Sequence, residues 1–222
     1  MSCQALPDEP LHGSNLMVAM ARAAQAGGAK GIRANGPDDI AAIRQAVDLP
    51  VIGIFKQFHP QVEVYITPTF DSAQAVVKAG ADIVALDATP RLRPDHVEVP
   101  ALIGRIKAEL GVPVLADIST LEEGIAAVKM GADLIATTLV GHTPYTAHQK
   151  EFDREFIRFL AQSIDAPVIA EGGIWSPEEA LGALEAGAFA VVVGSAITRP
   201  QLITKRFVHK MQEYRRGESG DG

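Results

Sequence analysis

The stretch AGADIVALD, residues 79–87, carries a pattern that the chain repeats and that decides its fold. A small residue, glycine and alanine precede an apolar run, and the pattern returns as GGAKGIRAN (27–35), MGADLIATT (130–138) and AGAFAVVVG (186–194). Glycine enters the left-handed backbone region without strain and therefore often ends a helix. An apolar run this continuous is typical of a strand buried on both faces. Each copy predicts a helix end followed by a buried parallel strand.

A second phrase, in which proline precedes an apolar run, alternates with the first. It reads LPVIGIFK (49–56), VPVLADIS (112–119) and APVIAEGG (166–173). Proline cannot lie inside a helix or a central strand ladder, so it marks the start of each strand. Helical patterns separate the strands, and several of them open with cap residues such as Ser119-Thr120. The chain is therefore predicted to alternate between strands and helices.

Seven clear strand–helix units follow one another, and the segment SCQA at 2–5 predicts an eighth strand placed first. Strict alternation with parallel strands implies either an open doubly wound sheet or a closed barrel. Eight units in 222 residues favour the α/β class and a single-domain (β/α)8 TIM barrel. We assign residues 1–214 to this barrel and residues 215–222, which are polar and glycine-rich, to a disordered tail.

Composition and charge exclude several function classes. The chain has a net charge of −7, 5% aromatic residues and a single cysteine, Cys3. An acidic chain with few aromatic residues is a poor candidate for binding nucleic acid, and one cysteine cannot form an internal disulfide. No apolar run approaches the roughly 20 residues that span a bilayer, and the first residues lack a signal-peptide pattern. We expect a cytoplasmic protein with no membrane partner.

The active site of such a barrel lies at the carboxyl ends of the strands, so the polar residues there are the candidates. They are Gln4, Arg33, Asn35, Lys56, Asp87, Thr89, Asp117, Thr137, Thr138, Glu171, Gly194 and Ser195. Any one of them can simply be the first exposed residue of a loop. Lys56, Asp117 and Glu171 differ, because each follows the proline-led phrase and occupies nearly the same place on its own strand. Alternate strands share layers of the barrel interior, so one cation and two anions are predicted to face each other across the mouth, which indicates function.

Two glycine-containing turns follow the last two predicted strands. Gly172-Gly173 comes after strand seven, and Gly194-Ser195 comes after strand eight. Barrel loops at these places often bind phosphate through backbone N–H groups, and glycine lets the backbone approach the anion closely. Arg199 is placed to add a guanidinium fork. The alternative is that both are ordinary tight turns.

The sequence predicts neither a metal nor a dinucleotide cofactor. None of the six histidines has a partner at ligand spacing, and there is no cysteine cluster. No GxGxxG phosphate-binding pattern follows the first strand. We therefore expect chemistry carried by side chains alone.

Segments along nearly the whole chain together resemble the N-acetylmannosamine-6-phosphate 2-epimerase family. They are SCQALPDEPLH (2–12), GIRANG (31–36), PVIGIFK (50–56), VYITPT (64–69), ALDAT (85–89), ADIST (116–120), TTLVGHTPYT (137–146), IAEGGI (169–174) and GSAITRPQLITKRF (194–207). The resemblance implies an enzyme that interconverts N-acetylmannosamine 6-phosphate and N-acetylglucosamine 6-phosphate during sialic acid breakdown. It also implies a homodimer.

The resemblance implies roles for the strand-end residues. Lys56 is the expected essential lysine and Glu171 the second acid–base group. Contacts with the substrate are expected from Gln4, Arg33, Asp117 and Thr138, and contacts with its phosphate from Gly172, Gly173, Gly194, Ser195 and Arg199. Whether one base or two act stays open at this point.

Two alternatives stay open beside the epimerase. One is another phosphosugar barrel that uses lysine and glutamate, such as an indole-glycerol-phosphate-type or thiazole-forming synthase. The other is a catalytically inactive protein that binds a phosphosugar, which the intact set of Lys56, Asp117 and Glu171 disfavours. A pentulose-phosphate 3-epimerase is disfavoured because its metal-binding histidine and aspartate set is missing.

Overall fold

A parallel sheet, with each strand paired to the next in sequence order, forms the centre of the molecule. The computed structural model describes residues 1–149 and 151–218, with 215–218 described by backbone alone, and within these ranges the sheet has eight strands. They are β1 (Ser2–Cys3), β2 (Ile32–Asn35), β3 (Val51–Ile54), β4 (Ile83–Asp87), β5 (Val114–Asp117), β6 (Leu134–Ala136), β7 (Val168–Glu171) and β8 (Ala190–Val192).

The barrel closes where the first strand meets the last. The backbone N–H of Ser2 donates to the carbonyl oxygen of Val193 at 2.9 Å, and on its other side Ser2 is paired with Arg33 of β2. The predicted (β/α)8 TIM barrel is therefore confirmed, and the open-sheet alternative is wrong.

Helices follow the strands and surround the barrel. They are α1 (Ser14–Ala26), α2 (Pro37–Ala46), α3 (Phe70–Lys78), α4 (Val99–Arg105), α5 (Leu121–Lys129), α6 (Arg154–Ser163), α7 (Pro177–Glu185), α8 (Ser195–Thr198) and α9 (Pro200–Glu218), with a π-helical turn, Ile106–Leu110, extending α4. Helices α3, α5 and α7 begin with a capping box, in which the cap hydroxyl and the third helical side chain satisfy backbone N–H groups reciprocally.

The glycines of the repeated phrase behave as the sequence predicts. Gly28, Gly80, Gly131 and Gly187 have φ of +88°, +105°, +93° and +105°, and each lies between a helix and the next strand. Residues with a Cβ adopt this region at a cost. The repeat therefore predicts the turn that connects each of these helices to the next strand of the barrel.

Aliphatic side chains fill the barrel interior below its mouth. Ile54, Leu115 and Ile169 belong to one interior cluster and are at most 4% exposed. Because side chains alternate between faces along a strand, the residue two positions further along each of these strands also points inward. That position holds the charged residue of each proline-led phrase, at the upper edge of the core.

The last helix, α9, is exposed to solvent beyond its first turn. Side chains of residues 204–214 are exposed, and its main contacts are with α8. Its backbone is helical to Glu218, so residues 215–218 of the predicted disordered tail are described as helix, and residues 219–222 lie outside the described residues. Across the described ranges, no helix is both long and apolar enough to cross a membrane.

Candidate active site

Arg33, Asp117 and Glu171 meet at the carboxyl ends of β2, β5 and β7. The Arg33 guanidinium makes two hydrogen bonds to Asp117, Nη1 to Oδ1 at 3.0 Å and Nη2 to Oδ2 at 2.5 Å. Its Nη1 also lies 2.9 Å from Oε2 of Glu171. Arg33 and Asp117 are fully buried, at 1% and 0% exposure. One buried cation therefore offsets two carboxylates, which lowers the cost of burying them.

The hydroxyl of Thr138, which lies just beyond β6, joins the two carboxylates. It is 2.7 Å from Oδ1 of Asp117 and 3.2 Å from Oε2 of Glu171. The neighbouring Thr137 hydroxyl donates to the carbonyl oxygen of Glu171 at 2.9 Å and accepts from its N–H at 3.0 Å. These bonds fix the end of β7, so the Glu171 side chain is held in one place.

Lys56 stands apart from this ion-paired cluster. It lies two residues beyond β3, where its N–H donates to Oδ1 of Asn35 at 2.8 Å and its backbone pairs with Ile66. In the part of the chain that the structure describes, its Nζ makes no hydrogen bond or ion pair. The sequence predicts one cation, Lys56, facing two anions, whereas the structure adds a second cation, Arg33, to this group. Arg33 takes both carboxylates, because a planar guanidinium matches them better than an ammonium.

Burial leaves the Lys56 amine easier to deprotonate. Loss of hydration lowers the pKa of Lys56 from its ordinary value to about 8, and the nearby Arg33 and Arg199 cations lower it as well. The carboxylates of Glu171 and Asp117 oppose this shift without cancelling it. An amine with such a pKa is partly neutral near neutral pH, and a neutral amine can accept a proton.

Glu171 is shifted in the direction that suits an acid. Burial raises the pKa of Glu171, and the neighbouring Asp117 charge raises it further, against the opposing effects of Arg33 and Thr138. Only Oε2 contacts Arg33 and Thr138. Within residues 1–149 and 151–218, Oε1 has no hydrogen-bond partner, so it is the oxygen free to carry a proton.

A cavity of about 430 Å³ opens above the cluster. Of the residues to which the resemblance assigns roles, all except Asp117 line it, namely Gln4, Arg33, Lys56, Thr138, Glu171, Gly172, Gly173, Gly194, Ser195 and Arg199. The other strand-end candidates, Asn35, Asp87, Thr89 and Thr137, are not among its lining residues. Asp117 lies behind the lining residues, bonded to Arg33 and Thr138 and closed off from solvent. The residues with assigned roles therefore lie together at the cavity. Asp117 does not line the cavity but supports the residues that do.

The turn after β7 requires glycine at two successive positions. Gly172 and Gly173 have φ of +103° and +69°. A Cβ on Gly173 would also lie 2.8 Å from the backbone nitrogen of Phe152. Because of this tight turn, the backbone itself forms part of the wall of the cavity that Arg199 and Gly194 also line.

Three side chains that the sequence does not single out also line the cavity. They are Tyr65, His142 and Trp175, from the loops after β3, β6 and β7. His142 has no partner at metal-ligand spacing and carries no other signal in the sequence, and the length of the loop after β3 gives no indication that Tyr65 returns to the mouth of the barrel. Trp175 could have been found, because it follows the Gly172-Gly173 turn closely. The guanidinium of Arg206 on α9 stacks 4.3 Å from the centre of its ring.

A larger cavity, of about 800 Å³, lies at the opposite end of the barrel. Aliphatic side chains such as Ile52, Ile83 and Leu134 line it, and its lining includes no carboxylate or imidazole. We place the candidate site in the smaller cavity, because acid–base chemistry needs titratable groups. Among the described residues, no group of three or more histidine, cysteine, aspartate or glutamate side chains is arranged to hold a metal ion.

Known proteins resemble this chain over nearly its whole length. Residues 17–213 match the family model described as "Putative N-acetylmannosamine-6-phosphate epimerase". A relative from Caldanaerobacter subterraneus subsp. tengcongensis is named "Putative N-acetylmannosamine-6-phosphate 2-epimerase". It is 52% identical over 216 residues, which cover 97% of this chain and 91% of the relative. One from Clostridium perfringens (strain SM101 / Type A) is 50% identical over 207 residues, covering 93% of each.

Solved structures agree with the sequence matches. A structure of the N-acetylmannosamine-6-phosphate 2-epimerase from Clostridium perfringens superposes with a TM-score of 0.91 at 49% identity, covering 94% of this chain and 90% of that one. A thiamine phosphate pyrophosphorylase from Pyrococcus furiosus has a TM-score of 0.56 at 23% identity, over 82% of this chain and 80% of that one, and shares the fold alone.

Proposed function

The chain belongs to the N-acetylmannosamine-6-phosphate epimerase family, and we propose that it interconverts N-acetylmannosamine 6-phosphate and N-acetylglucosamine 6-phosphate. These sugars differ in configuration at C2, so a proton must leave one face of that carbon and return to the other. The C2 proton is acidic only beside a carbonyl group, which makes the open-chain aldehyde the reacting form. The observation that carries the proposal is an unpaired lysine beside a buried arginine–carboxylate cluster in one cavity.

Lys56 is the group that removes the C2 proton in this proposal. Lys56 lines the cavity, its amine makes no ion pair with a carboxylate of the described residues, and its pKa is lowered to about 8. A general base works best when its pKa lies near the operating pH. These features support Lys56 over the other polar residues at the strand ends.

Glu171 is the second acid–base group. Its Oε1 is free, and its raised pKa allows the carboxyl group to hold a proton. We propose that Oε1 delivers a proton to the opposite face of C2 or moves the proton needed to open the sugar ring. Two groups with pKa values displaced toward each other, one amine and one carboxyl, suit a reaction that must both remove and return a proton.

Arg33 supplies the fixed charge for the intermediate. Removing the C2 proton places negative charge on the aldehyde oxygen, and a pre-oriented cation in a site shielded from water stabilises such charge. Asp117 and Thr138 hold Arg33 and Glu171 in place from behind, and Gln4 is placed on the wall to contact the sugar. Asp117 therefore acts through its neighbours in this proposal.

The phosphate end of the substrate is assigned to the other side of the cavity. The Gly172-Gly173 and Gly194-Ser195 turns and Arg199 line the cavity, and we assign them to that side. Backbone N–H groups and a guanidinium are the usual donors to phosphate oxygens. No cofactor enters this scheme. Two further statements about the protein stay predictions from the sequence. One is that it acts in sialic acid and amino-sugar breakdown, and the other is that it lies in the cytoplasm.

Proton exchange at C2 tests the proposal. We expect the protein, incubated with N-acetylmannosamine 6-phosphate in D₂O containing a chelator, to form N-acetylglucosamine 6-phosphate and to replace the C2 proton with deuterium, as seen by ¹H NMR. The rate of C2 exchange, which needs the neutral amine of Lys56 to remove the proton, should rise with pH up to about 8, the pKa of that amine.

The same experiment separates the alternatives. A synthase of the indole-glycerol-phosphate or thiazole-forming type would leave both sugars unchanged until a second reactant is added. An inactive binding protein would shift the sugar resonances without exchange. Either result would exclude the epimerase, and a rate that falls as pH rises from 6 to 8 would exclude neutral Lys56 as the base.

We also propose that the protein is a homodimer that uses α9. This helix exposes Phe207 by 67% and Met211 by 58%, and residues four apart lie on the same helix face. Two exposed apolar side chains on one face of a helix suit burial against a second copy.

Replacing Phe207 by aspartate should therefore yield monomers, because burying a carboxylate in an apolar contact is costly. Size-exclusion chromatography with light scattering measures the outcome. Gln212→Asp is the matched control, since it adds the same charge on a different side of α9 and should leave the dimer intact. A wild-type monomer, or a dimer that survives Phe207→Asp, would contradict this use of α9.

A further inference from the structure

The guanidinium of Arg199 is held by a carboxylate from the other end of the chain. Glu9, on the loop between β1 and α1, receives Nε of Arg199 at Oε1, at 3.0 Å, and Nη2 at Oε2, at 3.1 Å. The Nη2 contact is a hydrogen bond and the Nε contact is an ion-pair contact, so both oxygens of Glu9 lie against one edge of the guanidinium and restrict its orientation. The pair is partly buried, with Glu9 16% and Arg199 28% exposed.

Further donors fix the Glu9 carboxylate itself. The backbone N–H of Leu6 donates to Oε2 at 2.8 Å, and the Nε2 amide of Gln201 donates to Oε1 at 3.2 Å. Glu9 is thereby tied to its own loop and to the start of α9 at once. Such a carboxylate is a fixed support for Arg199 and not a mobile partner that happens to touch it.

This arrangement leaves one edge of the Arg199 guanidinium open. Nε and Nη2 contact Glu9, whereas Nη1 has no partner among residues 1–149 and 151–218. Arg199 lines the cavity beside Gly194 and Ser195. An unrestrained arginine side chain loses rotamer entropy when it binds an anion, and the contacts with Glu9 remove part of that freedom before binding.

We propose that Glu9 is a positioning residue for the substrate phosphate, which rests on the phosphate role given to Arg199 above. Glu9 holds the guanidinium by its Nε–Nη2 edge and so directs the Nη1 edge at the phosphate. Its negative charge also opposes an incoming anion. The orientation effect dominates, because the carboxylate lies on the far edge of the guanidinium and its charge is already offset by Arg199 and two further donors.

Glu9→Gln tests this proposal, because glutamine keeps the size of the side chain and an oxygen for Leu6 but cannot accept a bidentate guanidinium. Trp175 is the single tryptophan of the chain and lines the cavity, so its fluorescence reports binding. We expect Kd for N-acetylglucosamine 6-phosphate to rise about tenfold, the scale found when an outer partner that orients a binding group is lost. Binding of unphosphorylated N-acetylglucosamine should not change.

Kinetics should show the same selectivity. KM for the phosphorylated sugar should rise with Kd, while kcat stays within about threefold, because binding rather than the proton transfer is affected. Glu9→Asp, which keeps the charge, should recover part of the loss. Glu185→Gln is the control, since it breaks an exposed glutamate–arginine pair, with Arg154, away from the cavity and should change nothing.

Arg199→Ala distinguishes failure of this inference from failure of the proposed function. If Glu9 acts through Arg199, the double variant should bind no more weakly than Arg199→Ala alone. Unchanged or tighter phosphosugar binding by Glu9→Gln, or additive losses in the double variant, would overturn the positioning role while the phosphate role of Arg199 stands. Unchanged binding by Arg199→Ala would overturn both.

Discussion

Lys56→Ala is expected to lower kcat for the epimerisation by on the order of 100-fold or more, the usual contribution of a positioned general base. The reason is that Lys56 has the only amine on the described cavity wall and that its pKa is lowered to about 8. Deuterium incorporation at C2 in D₂O, followed by NMR, should fall by the same factor. KM should change little, because the lysine is not assigned to the phosphate or to a sugar hydroxyl.

Two controls make the Lys56 result specific. Lys30→Ala removes a lysine at the amino end of β2, on the opposite side of the barrel from the site, and should leave kcat unchanged. Small primary amines added to Lys56→Ala should restore part of the exchange, because the truncated side chain leaves room for an external base. Exchange within a few-fold of wild type in Lys56→Ala would remove the lysine from the mechanism.

Much of the site follows from the sequence because the repeat fixes the register of the strands. The proline-led phrase places Lys56, Asp117 and Glu171 two positions beyond an inward-facing aliphatic residue, at the same height in the barrel. Selecting the polar residues at strand ends therefore finds the proposed catalytic residues without any contact information. The glycine of each repeat likewise predicts a turn with positive φ, which is confirmed.

The pairing of charges could not be predicted in the same way. Arg33 and Asp117 are 84 residues apart, and their bond depends on how the side chains pack once the barrel has closed. The sequence therefore suggests Lys56 as the counterion of the carboxylates, whereas Arg33 fills that role. This difference matters chemically, because a lysine paired with carboxylates would hold its proton, and an unpaired one releases it more easily.

The contact between Glu9 and Arg199 could not be predicted, for a related reason. Glu9 and Arg199 lie 190 residues apart, and their contact forms because the loop after β1 and the turn before α9 meet where the barrel closes. Neither segment has a periodicity from which its path could be calculated. Strand ends are placed by the repeat, whereas loop side chains are placed only by the folded chain.

Arg33→Met is expected to reduce the free energy of unfolding by about 3–5 kcal/mol, because removing one partner of a buried ion pair leaves uncompensated charge behind. Here two carboxylates, Asp117 and Glu171, would lose their common cation. Urea unfolding at pH 7 measures the change as a lower midpoint at constant slope. The exposed pair of Arg154 with Glu185 gives the control, and Arg154→Met should cost no more than about 1 kcal/mol.

The pH dependence of the Arg33→Met deficit identifies its cause. Burial already raises the pKa of Glu171, and loss of the guanidinium raises it further, so the folded variant binds more protons than the unfolded chain. Its stability should then increase relative to wild type as pH falls from 7 toward 5, because protonation removes the uncompensated charge. A deficit that stays constant over this range would indicate lost packing, and a deficit below about 1 kcal/mol would show that Arg33 does not hold the two carboxylates in the barrel.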